Sequence, residues 1–185
     1  MVAPERSLRA DAQRNRDAVL DTASRLFAER GDAVQMDEIA ERAGLGVGTV
    51  YRHFADKRAL LAAIVGRRFA AATELARSAE QLRDPWAAFE ALLNGYLETA
   101  QEDAAFRRAI LGPEEPDWDE VAAQKSELSS IVARIVARAV DAGRVRRDFT
   151  HEDFILLTRG AIANMNGADW HRYLTLLTEG LAVDR

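Results

Sequence analysis

The sequence of 185 residues contains no cysteine, four prolines and three histidines. The absence of cysteine excludes disulfide scaffolds, thiolate metal sites and cysteine nucleophiles. The histidines lie far apart and form no metal-ligand motif such as H-E-x-x-H, so we expect neither a metal nor another cofactor. No apolar run approaches the roughly 18 residues of a membrane span, and the first residues lack the apolar core of a secretion signal. We therefore expect a cytoplasmic protein with no membrane partner.

The composition is that of a folded chain, with 48% hydrophobic and 30% charged residues. Such a chain can bury enough apolar surface to offset the entropy of ordering it, which excludes a disordered protein. The formal net charge is −5, but residues 1–60 contain ten basic and ten acidic side chains. The negative excess thus lies after residue 60, an asymmetry that favours a polyanion-binding head on an acidic body.

Apolar residues recur at helical spacing along nearly the whole chain, and no long alternating strand pattern interrupts them. Glycines are expected to end helices at Gly31, Gly44 and Gly143. Asp56 is expected to cap one helix, and Thr150 with Asp153 forms the pattern of a capping box. The sequence therefore predicts an all-α protein with about nine helices.

Segments 36–43 and 47–54 form the pattern of a helix-turn-helix, two short helices separated by a turn that begins with Gly44. Small Ala40 fits the point where the helices cross, while Val50 and Phe54 point inward. The outer face of the second helix then carries the following residues: Val47, Gly48, Thr49, Tyr51, Arg52 and His53.

Three strings of spaced residues carry a resemblance to a known family. They are Ala23-x-x-Leu26-Phe27-x-x-x-Gly31, Ile39-Ala40-x-x-Ala43-Gly44-Leu45, and Gly48-Thr49-Val50-Tyr51-Arg52-His53-Phe54-x-x-Lys57-x-x-Leu60-Leu61. In this order and spacing they resemble the DNA-binding domain of TetR-family bacterial repressors. The resemblance implies a flexible basic arm at 1–13, a helix-turn-helix domain at 14–61, and a helical regulatory and dimerisation domain at 62–185. It also implies a homodimer whose third helices enter successive major grooves of a near-palindromic operator.

Carried over by position, the resemblance implies two kinds of DNA contact. Val47, Gly48 and Thr49 would face bases. Tyr51, Arg52, His53 and Lys57 would contact phosphates or the groove edge. Two departures weaken the usual contacts: Gln35 stands where the family has Ser or Thr, and Gly46 replaces a small polar residue. Gln35 remains a candidate contact, and base specificity would lean on methyl groups of Val47 and Thr49 or on the arm.

A second site is expected in the C-terminal part, where a small-molecule effector would bind. The candidate lining consists of Trp86, Phe89, Tyr96, Phe106, Trp118 and Asn164. At helical spacing each aromatic residue is more often plain core. Asn164 is singled out because a buried amide in an apolar helical domain must find a partner.

The last two helices are apolar on more than one face, which indicates a partner surface. Family resemblance implies that they form the dimer. The candidate interface consists of Phe154, Ile162, Trp170, Tyr173, Leu174, Leu177 and Leu181, with further apolar positions at Ile155, Leu156 and Leu176. The alternative is that both helices are central in a monomer.

The sequence thus predicts a ligand-responsive transcriptional repressor that a small molecule releases from DNA, and no enzyme. Two alternatives stay open: a helical protein-interaction module, or an enzyme with an incidental helix-turn-helix. The enzyme alternative is disfavoured because the sequence shows no nucleophile–base pair, metal cluster or phosphate-binding loop. The interaction module would leave Tyr51, Arg52, His53 and Lys57 without a purpose.

Overall fold

The computed structural model describes residues 4–102, 119–165 and 170–182. Within these ranges lie eight α-helices, one fewer than the sequence predicts, and the all-α prediction is confirmed. The helices are α1 (Pro4–Arg30), α2 (Met36–Arg42), α3 (Val47–His53), α4 (Lys57–Glu80), α5 (Pro85–Glu102), α6 (Asp119–Asp141), α7 (His151–Ala163) and α8 (Trp170–Leu181). None of these helices is both long enough and apolar enough to cross a membrane.

The first helix is longer than expected, because residues 4–13 are its first turns rather than a flexible arm. Pro4 occupies the first helical position, where its missing N–H costs no hydrogen bond. No further proline or glycine occurs before Gly31, so nothing in the sequence interrupts the helix between them.

The predicted helix ends are confirmed. Backbone φ is positive at each of the three glycines: 59° at Gly31, 68° at Gly44 and 66° at Gly143. Asp56 caps α4, its Oδ1 accepting from the Ala59 N–H at 2.7 Å. Thr150 and Asp153 form the predicted capping box, each side chain accepting from the other residue's backbone N–H. Together these signals fix where α4 and α7 begin.

The helices fall into two compact units, Met1–Val65 and Gly66–Arg185. The boundary lies inside α4, four residues after the expected one at 61/62. The first unit packs α1, α2, α3 and the start of α4 around one core. The core residues are Val19, Leu20, Ala23, Leu26, Phe27, Val34, Met36, Ile39, Ala40, Val50, Phe54, Leu60 and Ile64.

In the second unit, α5 packs against α6 and α7, and α7 packs against both α6 and α8. Arg138 of α6 holds the end of α4, donating to the carbonyl oxygens of Glu80 at 3.1 Å and Leu82 at 3.0 Å. Arg134 pairs with the Glu80 carboxylate at 2.7 Å. The hydrogen bond from Arg134 holds the pKa of the Glu80 carboxyl below its ordinary value. These contacts tie the end of α4 to α6.

Candidate nucleic-acid interface

The helix-turn-helix is built by α2, α3 and the four residues between them. Ala40 is fully buried at the base of the turn, where its carbonyl oxygen accepts from the Leu45 N–H at 2.9 Å. Gly44 supplies the left-handed conformation that lets the chain reverse, since a side chain there would be strained. Val50 and Phe54 are buried against the first-unit core, as predicted, and they set which face of α3 points outward.

The outward face of α3 is exposed, and its largest side chains are not needed for the core. Val47 is 41% exposed and Tyr51 is 47% exposed, while Gly48 and Arg52 are also exposed. Thr49 and His53 are half-buried at the edge of this face. Large apolar and aromatic side chains left in solvent on a folded unit indicate a binding surface. We call these six residues the α3 outer face.

The two remaining predicted contact residues lie outside α3. Gln35 is the exposed residue before α2, but its side chain makes no cap hydrogen bond to that helix. Its Nε2 donates instead to the Ala33 carbonyl oxygen at 3.3 Å. Lys57 is the first residue of α4, and its Nζ lies 5.4 Å from the centre of the Phe27 ring. A cation over a ring face is attracted to it and becomes more fixed in position.

Arg16 belongs to the same region, although the sequence analysis did not single it out. Its guanidinium lies 4.6 Å from the centre of the Phe54 ring, and Phe54 is the residue that ends α3. Such a cation–π contact contributes about 0.5–2 kcal/mol and fastens α1 to the end of α3. The only hint in the sequence is that Arg16 belongs to an arginine-rich start. Its partner lies 38 positions away, and local patterning does not reveal such a contact.

Comparison with known proteins agrees with the helix-turn-helix geometry of α2 and α3. A family model described as bacterial regulatory proteins of the tetR family matches residues 19–64. A second model, the C-terminal domain of SbtR-like transcriptional regulators, matches residues 84–183, more than half of the chain. The chain belongs to the TetR family. It is thus a transcriptional regulator of the helix-turn-helix type.

Individual relatives agree with this membership. A TetR transcription regulatory protein from Mycobacterium vanbaalenii has a TM-score of 0.69 and 32% identity, covering 95% of this chain and 99% of its own. The ketosteroid transcriptional regulator of Mycobacterium tuberculosis shares the fold, with a TM-score of 0.68 and 20% identity over 91% and 96% of the two chains. An HTH-type transcriptional regulator of Staphylococcus aureus is 41% identical over 61 residues. That match spans 32% of this chain and 33% of the curated relative.

The aromatic residues predicted to line an effector site are packed against one another in the second unit. Trp86 stacks on Phe89 with ring centres 5.8 Å apart, and Phe89 meets Phe149 and Phe154 edge-on. Tyr96 also contacts the Phe154 ring at 6.4 Å. Phe89 is fully buried, whereas Trp86 and Tyr96 are half-buried. Phe106 and Trp118 lie outside the described residues.

The premise that Asn164 is buried is wrong. Asn164 is exposed at the end of α7, where its Nδ2 donates to the Gly160 carbonyl oxygen at 2.7 Å. The position is the C-cap of the helix, so the amide satisfies a carbonyl that would otherwise lack a partner. The hydrogen-bond partner of the Asn164 side chain is therefore a backbone carbonyl group four residues earlier in the chain.

A groove of about 600 Å³ lies between α4 and α5, and among the described residues none of the predicted aromatic side chains Trp86, Phe89 and Tyr96 lines it. Its lining is Leu75, Ser78, Ala79, Leu82, Ala91, Asn94, Gly95 and Glu98. Leu75 presses close to Gly95, where a Cβ would come within 2.6 Å of Leu75 Cδ1. The lining is mostly apolar with three polar side chains at its edges, and the periodic pattern did not indicate it.

Phe89→Ala separates core packing from ligand lining. Because Phe89 is fully buried among three rings, we expect the second unit to lose about 3–5 kcal/mol of unfolding free energy. All three tryptophans lie after residue 65, so urea unfolding followed by tryptophan fluorescence reports on this unit. Leu82→Ala, at a 41% exposed position, is the control and should change stability by less than about 0.5 kcal/mol. If Phe89→Ala changed the free energy of unfolding by less than about 0.5 kcal/mol, that result would contradict a core role for Phe89.

The predicted dimer residues divide into two groups. Phe154 and Ile162 of α7 are buried within their own unit, as are Leu174 and Leu181 of α8. Tyr173 and Leu177 are half-buried, and the side chain of Trp170 lies outside the described part. The four buried residues therefore pack within their own subunit, and the expected interface itself stays a prediction.

The exposed apolar side chains of these helices are others. Ile155 is 43% exposed, Leu156 is 72% exposed, and Leu176 is 53% exposed. Phe154 and Leu156 are two positions apart, about 200° around the helix, so the packing that buries Phe154 turns Leu156 outward. We call Ile155, Leu156 and Leu176 the apolar surface of α7 and α8.

Proposed function

We propose that this TetR-family regulator is a repressor that binds a near-palindromic operator as a homodimer and leaves it when a small molecule binds. The observation that carries the proposal is the α3 outer face, which the fold leaves exposed while Val50 and Phe54 hold the helix in place. The exposed face carries a methyl-bearing Val47 first and a phenol and guanidinium later. Methyl groups suit contact with thymine, and the polar groups suit phosphates.

Dimerisation follows from the geometry of DNA as well as from the exposed leucines. Two heads reach successive major grooves only when they stand about 34–36 Å apart. A second copy of the chain supplies the second head and covers the apolar surface of α7 and α8. Leu156, at 72% exposure, is the side chain with the most to gain from such burial.

The effector is proposed to be a small apolar or amphipathic molecule bound by the second unit. The groove between α4 and α5 supports this, since about 600 Å³ lies within the usual range for small-molecule sites. Release from DNA requires a modest coupling, typically about 1–3 kcal/mol between the two sites. A thermal-shift screen with the full-length protein, followed by gel shifts of the protein–operator complex with each hit, tests this part.

The two alternative functions have less support. A helical interaction module leaves the exposed Tyr51 and Arg52 unexplained, and a DNA-binding assay separates it from a regulator. For the enzyme, no three His, Asp or Glu side chains within 4–102, 119–165 and 170–182 are grouped so that they could hold a metal ion. Membership of a regulator family also favours binding over catalysis.

Tyr51→Ala and Lys57→Ala test the DNA-binding part. Each removes a proposed phosphate contact, and we expect binding to weaken about 10- to 100-fold for all duplexes alike. Gel shifts with the gene's own upstream region and with an unrelated duplex measure this. Lys125→Ala removes the other lysine, which lies on α6, and should leave affinity unchanged. If Lys57→Ala left the affinity unchanged, the proposed orientation of α3 on DNA would be wrong.

A further inference from the structure

The side chain of Arg52 has a conformation that its position on α3 does not by itself determine. Its side chain folds back along the helix, where Nε donates to the Gly48 carbonyl oxygen at 3.3 Å. Its Nη2 donates to Thr49 Oγ1 at 2.8 Å. Long side chains on a helix lean toward the preceding turn. A Cβ at Gly48 would meet no atom within 4 Å, those of Arg52 included, so the two hydrogen bonds hold this conformation and the missing side chain of Gly48 does not.

These two hydrogen bonds occupy one edge of the guanidinium. Arginine carries five N–H donors in a rigid planar fork. The Nε and Nη2 donors lie along the edge that meets Gly48 and Thr49, and Nη1 with the second Nη2 donor forms the other edge. Among the residues that the structure describes, no group accepts from this second edge. It is a paired donor on an exposed face.

The charge of Arg52 is also left uncompensated, in contrast to that of Arg30 and Arg42 in the same unit. Arg30 and Arg42 both pair with Glu38, the second at 3.7 Å. Within the described ranges no carboxylate lies within ion-pair distance of Arg52. The first unit thus keeps this guanidinium exposed and unneutralised.

We propose that Arg52 reads a guanine in the major groove instead of gripping a phosphate. A guanine presents O6 and N7 as two adjacent acceptors, which match the parallel donors of the free edge. Neighbouring Val47 and Gly48 carry no side-chain donor and the Thr49 hydroxyl is bonded to Arg52, so the free edge of Arg52 is the paired donor on α3 that fits a guanine. The inference rests on the proposed function and names the base recognised by that same surface.

Thr49 is the positioning residue for Arg52. Its hydroxyl oxygen fixes the guanidinium before DNA arrives, which lowers the side-chain entropy lost on binding. The hydroxyl therefore acts through Arg52, while the Thr49 methyl group remains available for a thymine. Loss of the hydroxyl should weaken guanine recognition without moving it to another position.

The test begins with selection of duplexes from a random-sequence library by the full-length protein. We expect the selected sites to contain one guanine at equivalent positions of both half-sites. Replacing this G·C pair with A·T should weaken binding of the unmodified protein about 10- to 100-fold. Arg52→Ala should bind both duplexes with equal affinity. Thr49→Val, which keeps the shape but removes the hydroxyl, should show a reduced preference for the same guanine.

Arg58→Ala is the matched control, since it removes another exposed arginine of the first unit. It should lower the affinity for both duplexes by the same factor. Circular dichroism establishes that each variant is folded. If Arg52→Ala retained the guanine preference and bound all duplexes more weakly with a shallower salt dependence, Arg52 would be a phosphate contact and the inference would be overturned. If the unmodified protein enriched no sequence from the library, both the proposed function and this inference would be wrong.

Discussion

The affinity for operator DNA should fall by about 10³–10⁵ when the salt concentration rises from 50 to 200 mM. With three or four phosphate contacts from each of two heads, the complex releases the counterions of six to eight phosphates. Only cations release counterions, and Arg16, Lys57 and Arg58 can supply three per head, while Arg52 would add a fourth if it met a phosphate. The net charge of −5 does not oppose this, because screening limits distant charges while the contacts are local. Fluorescence anisotropy with a labelled duplex measures the slope.

Two controls isolate the phosphate contribution. Light scattering at both salt concentrations establishes that the dimer does not dissociate, since dissociation would also lower the affinity. Lys57→Ala should make the slope shallower by about one unit for each head. A dissociation constant that stays constant across the salt range would contradict a nucleic-acid partner for the α3 outer face.

The head could be predicted from the sequence because its determinants are local. Gly44 marks the turn by its freedom to adopt positive φ, and Val50 and Phe54 mark the inner face of α3 by their spacing. The cap at Asp56 follows from a side chain three residues before its partner, the Ala59 N–H. Such signals depend on few residues, so one sequence suffices to find them.

The C-terminal unit was predicted less well, because periodicity cannot tell which of two apolar faces is inward. Phe154 and Leu156 are both apolar and stand two positions apart, yet one is buried and the other is exposed. Burial depends on where α5 and α6 pack, a question of tertiary structure. The aromatic residues were ambiguous for the same reason, and the structure shows Phe89 fully buried among other rings.

Arg52 shows a different limit. The sequence placed it on the outer face, but the pattern gave no means of choosing between a base and a phosphate. The choice depends on how the side chain bonds to the Gly48 carbonyl oxygen and the Thr49 hydroxyl, which is a matter of rotamer and hydrogen-bond geometry.

Leu156→Asp combined with Leu176→Asp should convert the protein to monomers and lower operator affinity by about 10²–10⁴. Both side chains are more than half exposed, so the charges face solvent in a single subunit and cost its fold little. In a dimer the same charges would be buried without partners, which is costly enough to separate the copies. A single head then binds without the high effective concentration that a linked second head provides. Light scattering measures the mass, and anisotropy measures the affinity.

The comparison with other positions makes this test specific. Ala137→Asp places a charge at an exposed position of α6, outside α7, α8 and the groove lining, and it should leave both mass and affinity unchanged. Leu174→Asp would be the wrong variant, because Leu174 is buried in its own subunit and a charge there unfolds it. An intact dimer in the Leu156→Asp, Leu176→Asp protein would show that the subunits meet elsewhere. Monomers that bind the operator with undiminished affinity would instead show that each head acts alone, and a near-palindromic operator would then have no structural basis.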